Sequence, residues 1–413
     1  LLVERIKIMG MREMLLFNHQ KQLLTKNPKR HLISFGTGTG KTLTAILLAN
    51  KNCQSVLVIC PKAIKQNWRR NLIEYAREDL IWSILTKEEF KSMWDQIIGY
   101  DGIIIDEAHY FANLKSQLSK CFIKYCKKHN PSFRWLLTAT PYLSTPNNIF
   151  ALATHLGYKW NWLVFDRKFF TRIPMGGRMI PKIKKGIEND IAKLVNTIGS
   201  TAKLEDLIDL PDQVFETEYF ALKPEQTKAI SELQETNYIT RWTKIHTIEN
   251  GIYIGNDYEE DIIYPSDKTE RIKELCKENQ KIIIFARYNG QLAHLEGVLS
   301  DLNRPIFVIN GKTPDKDVMV QEAERAESAI VLINSMASEG YQLPSFRVMI
   351  FASLSFSFKD WKQSIGRNNR IDNPQRNVYI TLVVKGGTDE DVFKAIEKKE
   401  DFHIAIQDYE KRS

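Results

Sequence analysis

The sequence has little that would tie it to an oxidising compartment, a membrane or a structural metal. Its 413 residues hold five cysteines, Cys53, Cys60, Cys121, Cys126 and Cys276, an odd number set mostly inside apolar runs. A thiol in such a run serves as a small hydrophobe, so a disulfide framework is not expected and a reducing cytoplasm is. Cys121, Cys126 and His129 suit one helix and lack a second ligand pair, which argues against zinc. No apolar run approaches the roughly 20 residues of a membrane-spanning helix, and "LLVERIKIMGMREM" is too charged for a signal peptide. The sequence starts at Leu1, and Met9, Met11 or Met14 would each suit a native start. Neither sign of charge is missing. Lys and Arg number 58 against 50 Asp and Glu, a formal charge of +8 that suits an anionic partner and equally suits a basic, solvated surface. With 43% hydrophobic and 26% charged residues the chain is outside the disordered class and long enough for two or three domains.

Glycine is sparse as well, at 20 residues, yet three fall at 36, 38 and 40 in "ISFGTGTGKT". The strict phosphate-loop pattern G-x-x-x-x-G-K-[ST] asks for glycine where Phe35 stands. The context supplies what the pattern lacks: "HLISF" reads as a strand, "GTGTG" as a loop and "KTLTAILLAN" as a helix. Phe35 is then the end of the strand. Gly36, Gly38 and Gly40 allow close backbone approach, Thr39 lies in the cradle, Lys41 would reach the β- and γ-phosphates, and Thr42 would hold Mg²⁺.

Short β-branched runs recur, each followed by a turn and a helical pattern: "HLISF", "SVLVIC", "IWSIL", "GIIID" and "RWLLT" in the first half, then "KIIIF", "RPIFVI", "AIVLI", "RVMIF" and "NVYITLVV". Near-continuous apolar strands of this kind belong to parallel sheets covered on both faces. The expected fold is α/β with two lobes, residues 1–156 and 275–413. Residues 157–274 read as a mostly helical insertion and connector, interrupted by the strand-like "QVFETEYFAL".

In "GIIIDEAHYF" a strand ends in Asp106 and Glu107, at the place where open α/β sheets bind ligands. Such a pair also suits a helix N-terminus, but beside Lys41 and Thr42 it reads as the metal ligand and water-positioning group of an ATPase. In "WKQSIGRNNRIDN", Arg367 and Arg370 lie three apart on one helix face and suit arginine fingers, worth about three to five orders of magnitude in rate.

Taken in order, these segments resemble a superfamily 2 helicase or translocase, most closely the Swi/Snf-type branch. "GTGTGKT" corresponds to motif I, "DEAH" at 106–109 to motif II, "LLTATP" to motif III and "QSIGRNNR" to motif VI. "LFNHQ", "VLVICPKAIKQNW" and "DEAHYFANLKSQ", with Asn113 and Ser116, fit that branch. The resemblance implies two RecA-like lobes with ATP and Mg²⁺ in a cleft between them. Gln20 would read adenine, and Gly340 and Gln363 would also face the nucleotide. His109 and the Thr138, Ala139, Thr140 run would relay the state of the γ-phosphate.

Duplex or branched DNA is the partner implied, with single strands possible, tracked by Lys62, Lys65, Lys312 and Ser335. Motif V departs from the branch at Ala337, Ser338 and Glu339. Trp68, Trp82 and Trp361 suit core packing better than base stacking. The basic insert, with Arg167, Lys168, Arg172, Lys182, Lys184 and Lys185, is a place to grip a duplex. The expected activity is a DNA-stimulated ATPase that translocates on and remodels DNA in replication, recombination or repair. A strand-separating helicase, an RNA helicase and a catalytically silent binding module are the alternatives. With little sequence beyond the motor, the chain resembles a minimal phage-type replication motor, expected as a monomer in bacterial or phage-infected cytoplasm.

Overall fold

The computed structural model describes residues 5–6 and 14–407, apart from 37, 141–144, 176–177, 203–212, 236, 256–260, 314–315, 335–342, 356 and 366–375. The chain forms two compact units, Leu1–Asp209 with Asp401–Ser413, and Leu210–Glu400.

In the first unit, after a two-residue ladder of β1 (Arg5–Ile6) and β2 (Met14–Leu15), come α1 (Asn18–Lys26), β3 (Arg30–Phe35), α2 (Lys41–Asn52), β4 (Ser55–Cys60), α3 (Lys65–Tyr75), β5 (Ile81–Thr86), α4 (Lys87–Met93), β6 (Gly102–Ile105), α5 (Gln117–His129), β7 (Phe133–Leu137) and α6 (Asn147–Leu156). Then follow α7 (Trp162–Phe169), the hairpin β8 (Phe170–Met175) and β9 (Arg178–Ile183), α8 (Glu188–Ile198) and β10 (Gly199–Ala202). Six strands form one parallel sheet in the order β10-β3-β7-β6-β4-β5.

The apolar runs are continuous because successive residues feed two cores. Leu32, Leu57, Ile59, Ile103, Ile105 and Leu136 face one side of the sheet, while Ile33, Phe35, Val56, Val58, Ile104 and Leu137 face the other. Each such side chain, fully buried, is worth about 1.5–3 kcal/mol. Parallel pairing also sets every strand's carboxyl end on one edge, so the segments after β3, β4, β6 and β7 emerge together.

The second unit repeats the plan. It runs through β11 (Val214–Phe220), α9 (Pro224–Glu232), α10 (Tyr238–Glu249), a ladder of β12 (Ile252–Tyr253) with β13 (Ile262–Ile263), α11 (Asp267–Glu278), β14 (Lys281–Ala286), α12 (Asn289–Leu299), β15 (Ile306–Ile309), α13 (Lys316–Arg325), β16 (Ala329–Asn334), β17 (Val348–Phe351), α14 (Phe358–Ile365), β18 (Val378–Val384) and α15 (Thr388–Gln407). Its parallel sheet has the order β11-β18-β17-β14-β16-β15. The α/β plan with two parallel sheets is as expected from the sequence.

The middle segment holds more strand than its composition suggests. "QVFETEYF" supplies β11, but β8, β9 and β10 have no apolar run to announce them. Prolines and cations break up the hairpin, and β10 is the four-residue "GSTA". Gly199 is what lets β10 come in: a Cβ there would collide with the carbonyl of Leu32.

All five cysteines are buried and unbridged, and burial pushes the Cys53 and Cys60 thiols up to about 12. Among the described residues no helix is long and apolar enough to cross a membrane. Burial also lowers three histidines of the first unit, His19 and two with large shifts. His31, bonded to Ser200 Oγ on β10 at 2.8 Å, falls to about 3. His155, held by Phe111 O at 2.9 Å, falls to about 4. The unfolded chain protonates both near pH 6.5 while the folded chain does not, so acidification from about pH 6.5 to about 4 draws stability away. Denaturant titrations at about pH 7.5 and about pH 5 are expected to show a loss of up to about 1.4 kcal/mol per pH unit for each histidine.

Candidate active site

The loop after β3 is held open by its own lysine. Lys41 Nζ donates to the carbonyls of Phe35 and Gly36, both at 2.8 Å. Gly38 (φ 78°) and Gly40 (φ 83°) take the left-handed conformation that the sequence reserves for glycine. Thr39 is fully buried and its hydroxyl donates to Gly36 O at 2.7 Å. Helix α2 then starts at Lys41 with no acidic residue in its first turn and no side-chain cap, leaving N–H groups and the positive end of the helix dipole for an anion. Thr42 stands in that turn, half-buried.

Three contacts fix the loop from outside. Gly36 N donates to Ala202 O at the end of β10, at 2.8 Å. His19 Nε2 lies 2.9 Å from Thr39 O, its ring edge-on to Phe35. Gln20 is buried: its Oε1 accepts from Phe17 N at 2.9 Å, and its Nε2 donates to Thr44 Oγ1 at 3.1 Å and Gly40 O at 3.3 Å. The residue expected to read adenine thus also braces the loop, and a Cβ at Gly40 would collide with its amide.

Asp106 follows β6 on the same sheet edge, its N–H bonded to Ile59 O. Its carboxylate is buried between two donors. Trp68 Nε1 donates to Oδ2 and Glu107 N to Oδ1, each at 2.8 Å. Burial and the charge of Glu107 push the Asp106 carboxyl upward, against the Trp68 hydrogen bond and the Lys41 ammonium. Glu107 itself has φ 50°, a left-handed backbone that costs a non-glycine residue on the order of 1–2 kcal/mol. Strain of this kind clusters at functional sites and persists where the surrounding structure over-determines it.

Hard oxygen donors with one carboxylate suit Mg²⁺, which takes few protein ligands and completes its shell with water and phosphate. Asp106 and the Thr42 hydroxyl would be those ligands. Among the described residues no group of three His, Cys, Asp or Glu could hold a metal ion.

His109 is buried, with Nδ1 3.0 Å from Glu107 Oε2, and its Nε2 has no hydrogen-bond partner among the described residues. Thr138 N donates to Ile33 O, and the Thr138 hydroxyl accepts from Thr140 N at 3.1 Å; Ala139 between them is half-buried. The expected relay residues thus sit on the same sheet edge as the loop and Asp106.

The nucleic-acid candidates separate. Lys62 and Lys312 are exposed, whereas Lys65 is tied to Glu89 of α4 at 2.7 Å. Trp68 is wholly buried, and Trp82 and Trp361 pack against the two units' cores, as their flanking residues suggest. Ser335, Gly340, Arg367 and Arg370 lie outside the described residues. Gln363 falls on the backbone of α14. Sequence reasoning missed Trp68 as the partner of Asp106; the only trace of it was the tryptophan closing "KAIKQNW".

Residues 80–281 match the SNF2-related domain, and residues 267–372 the helicase conserved C-terminal domain. The chain is 21% identical over 422 residues to the CHD3-type chromatin-remodeling factor CHR7 of Arabidopsis thaliana, covering 88% of this chain and 34% of that protein. To the uncharacterized ATP-dependent helicase YqhH of Bacillus subtilis it is 20% identical over 451 residues, covering 92% and 76%. The chain spans about a third or less of the length of most curated relatives it matches, fungal ATP-dependent RNA helicases among them. The fold is that of the Hef helicase domain of Pyrococcus furiosus, with a TM-score of 0.55 at 14% identity over 91% of this chain and 97% of that one. Two family models following one another from residue 80 to residue 372 place the chain in the Swi/Snf-like branch of superfamily 2, a family of ATP-hydrolysing helicases and translocases.

Proposed function

We propose that the chain is a DNA-stimulated ATPase that translocates on duplex or branched DNA and remodels it, in the service of replication, recombination or repair. The observation that carries the reading is the Lys41 ammonium suspended between Phe35 O and Gly36 O over the uncapped start of α2, with the Asp106–Glu107 pair on the same edge. In this reading Lys41 leaves the two carbonyls for phosphate oxygens, and the α2 N–H groups hold the rest of the phosphate. Bound Mg²⁺ would supply charge neutralisation at the phosphates. Asp106 and Thr42 would hold it, Glu107 would position the attacking water, and Arg367 and Arg370 would stabilise charge on the transferring phosphoryl group. His109, Thr138 and Thr140 would report the nucleotide's state to the DNA.

DNA is favoured over RNA because the resemblance to a chromatin-remodeling factor extends over 88% of the chain, against 46% and 57% for two fungal RNA helicases. The test is ATPase stimulation by matched RNA, single-stranded, duplex and forked DNA, with Lys41→Ala as control, alongside triplex displacement and fork unwinding. Stimulation by duplex or forked DNA with triplex displacement supports the reading. Unwinding without displacement would replace it by a strand-separating helicase, stimulation by RNA alone by an RNA helicase, and no ATPase activity by a silent binding module.

Trp68 offers a check on the metal half. Trp68→Phe keeps most of the buried ring but removes the donor to Asp106 Oδ2. Losing a partner behind a metal ligand costs about 10–100-fold in affinity or activity. The expected result is a raised Mg²⁺ requirement with a near-parental melting curve; an unchanged Mg²⁺ titration would show that the bond serves packing only.

A further inference from the structure

The hairpin β8–β9 carries Arg172 and Lys182 of the basic insert, for which the sequence suggests no more than a general grip on a duplex. At its base Phe170 and Ile183 pack against the first unit's core. Beyond them every described residue from Thr171 to Pro174 and from Arg178 to Lys182 is exposed, so the ribbon has both faces in solvent. A two-stranded ribbon is marginal on its own, and this one displays Ile173, Met179 and Ile180 at 36%, 61% and 39% exposure.

Its charge is one-sided. From residue 167 to residue 187 the chain carries seven Lys or Arg and no Asp or Glu. Arg172 is paired with Asp166 at 2.5 Å and Lys168 with Asp190 at 2.8 Å. Arg178, Lys182 and Lys185 have no carboxylate partner among the described residues.

Register sorts these side chains. Cross-strand partners share a face and faces alternate, so the pairs Thr171–Lys182 and Ile173–Ile180, with Arg178 beyond, project from one side. That side presents two cations roughly 13 Å apart along the strand with a pair of isoleucines between them. The other side carries Arg172, Pro174, Met179 and Pro181, with Arg172 held by Asp166. Prolines lack the N–H that strand addition requires, which disfavours a partner that extends the ribbon as a sheet.

We propose that this face of the ribbon binds DNA at a branch point. Arg178 and Lys182 hold phosphates, and the Ile173–Ile180 pair packs on the base pair left open where the duplex ends. A surface that only tracks phosphates gains nothing from exposed isoleucines, whereas apolar side chains serve as wedges against bases. The interior of a linear duplex offers no open base face, so the isoleucines add affinity at a fork and not along the duplex. This inference rests on the DNA-motor reading and gives it a preference for branched substrates.

The test uses the full chain, measuring binding by anisotropy and ATPase stimulation on a fork and on a hairpin-capped linear duplex of equal length, over a salt series. Circular dichroism melts confirm that the exposed substitutions leave the fold intact, and Met179→Ser on the opposite face serves as the matched control. Arg178→Ala with Lys182→Ala is expected to weaken binding to both DNAs by about tenfold and to lower the salt slope by about two. Ile173→Ser with Ile180→Ser is expected to weaken fork binding by about tenfold while duplex binding changes by less than about twofold. If both double variants bind and respond like the parent, the ribbon is not a DNA contact and the motor reading survives. If the isoleucine variant loses fork and duplex equally, branch recognition is overturned. A parent that no DNA stimulates would instead remove the motor reading itself.

Discussion

Replacing Lys41 by alanine is expected to lower ATP turnover by about two to three orders of magnitude, the range for removing one preorganised charge stabiliser from a phosphoryl-transfer site. The substitution leaves the loop's other supports in place: Gly36 N on Ala202 O, Thr39 Oγ1 on Gly36 O, and Gln20 on Gly40 and Thr44. The melting curve is therefore expected to stay close to the parent's while kcat collapses. A variant that kept a tenth or more of the parental turnover, or one that lost activity only because the first unit unfolded, would sink the assignment. Thr138→Ala with Thr140→Ala makes a contrast: ATP turnover is expected to survive in part but to lose its dependence on DNA.

The second large effect concerns folding rather than turnover. In the second unit Lys268 Nζ donates to Asp389 Oδ2 and to Asn250 Oδ1, both at 2.6 Å, and Lys268 and Asp389 are 2% and 1% exposed. His246 Nε2 lies 2.9 Å from Asp389 Oδ1, and Val384 N donates to Oδ2 at 3.3 Å. Glu249, the last residue of α10, accepts from Thr388 N, Thr388 Oγ1 and Asp389 N and so caps α15. Burial works against ionising Asp389, but Lys268 and His246 more than offset it and hold the carboxyl below its ordinary range. Lys268→Ala strips the buried carboxylate of its ammonium partner and leaves it His246 and the Asn250 amide, and removing one partner of such a pair costs about 3–5 kcal/mol. Urea denaturation followed through Trp242, whose ring stacks on His246, is expected to report that loss. A change below about 1 kcal/mol would show that water or another cation replaces the lysine. The depressed Asp389 also sets a pH window: its contribution is complete above about pH 4 and disappears as the carboxyl protonates below it.

These two sites show what a sequence makes legible. The ten apolar runs correspond to β3 to β7 and β14 to β18, because most of these strands are buried on both faces and have no polar alternation to hide them, the edge strands β5 and β15 being half-buried. The loop and the acidic pair were legible because their chemistry is local: glycine, lysine and carboxylate stand within a few positions of the strand ends. The bond from Trp68 to Asp106 spans 38 residues, and that from Lys268 to Asp389 spans 121. Nothing in either local pattern sets these residues apart, since a lysine in "SDKTERIKEL" looks solvated and a tryptophan in "KQNWRRN" looks like ordinary core. The hairpin was hidden for the opposite reason. Its basic character was plain, but prolines and a near absence of apolar alternation concealed that the cations stand on strands.

The bond between Gly36 N and Ala202 O sets an order of events. The nucleotide loop has emerged from the ribosome long before the strand that steadies it exists, and some 160 residues of chain must follow before β10 can add to the free edge of β3. A nascent or truncated lobe ending near residue 156 would carry Gln20, Lys41, Thr42, Asp106 and Glu107 on a sheet with an open edge. It is expected to bind ATP poorly and to pair that edge with other copies. Steadying of the loop thus waits on the segment beyond the last motif of its own lobe, and a fragment made to test nucleotide binding is expected to need Ala202.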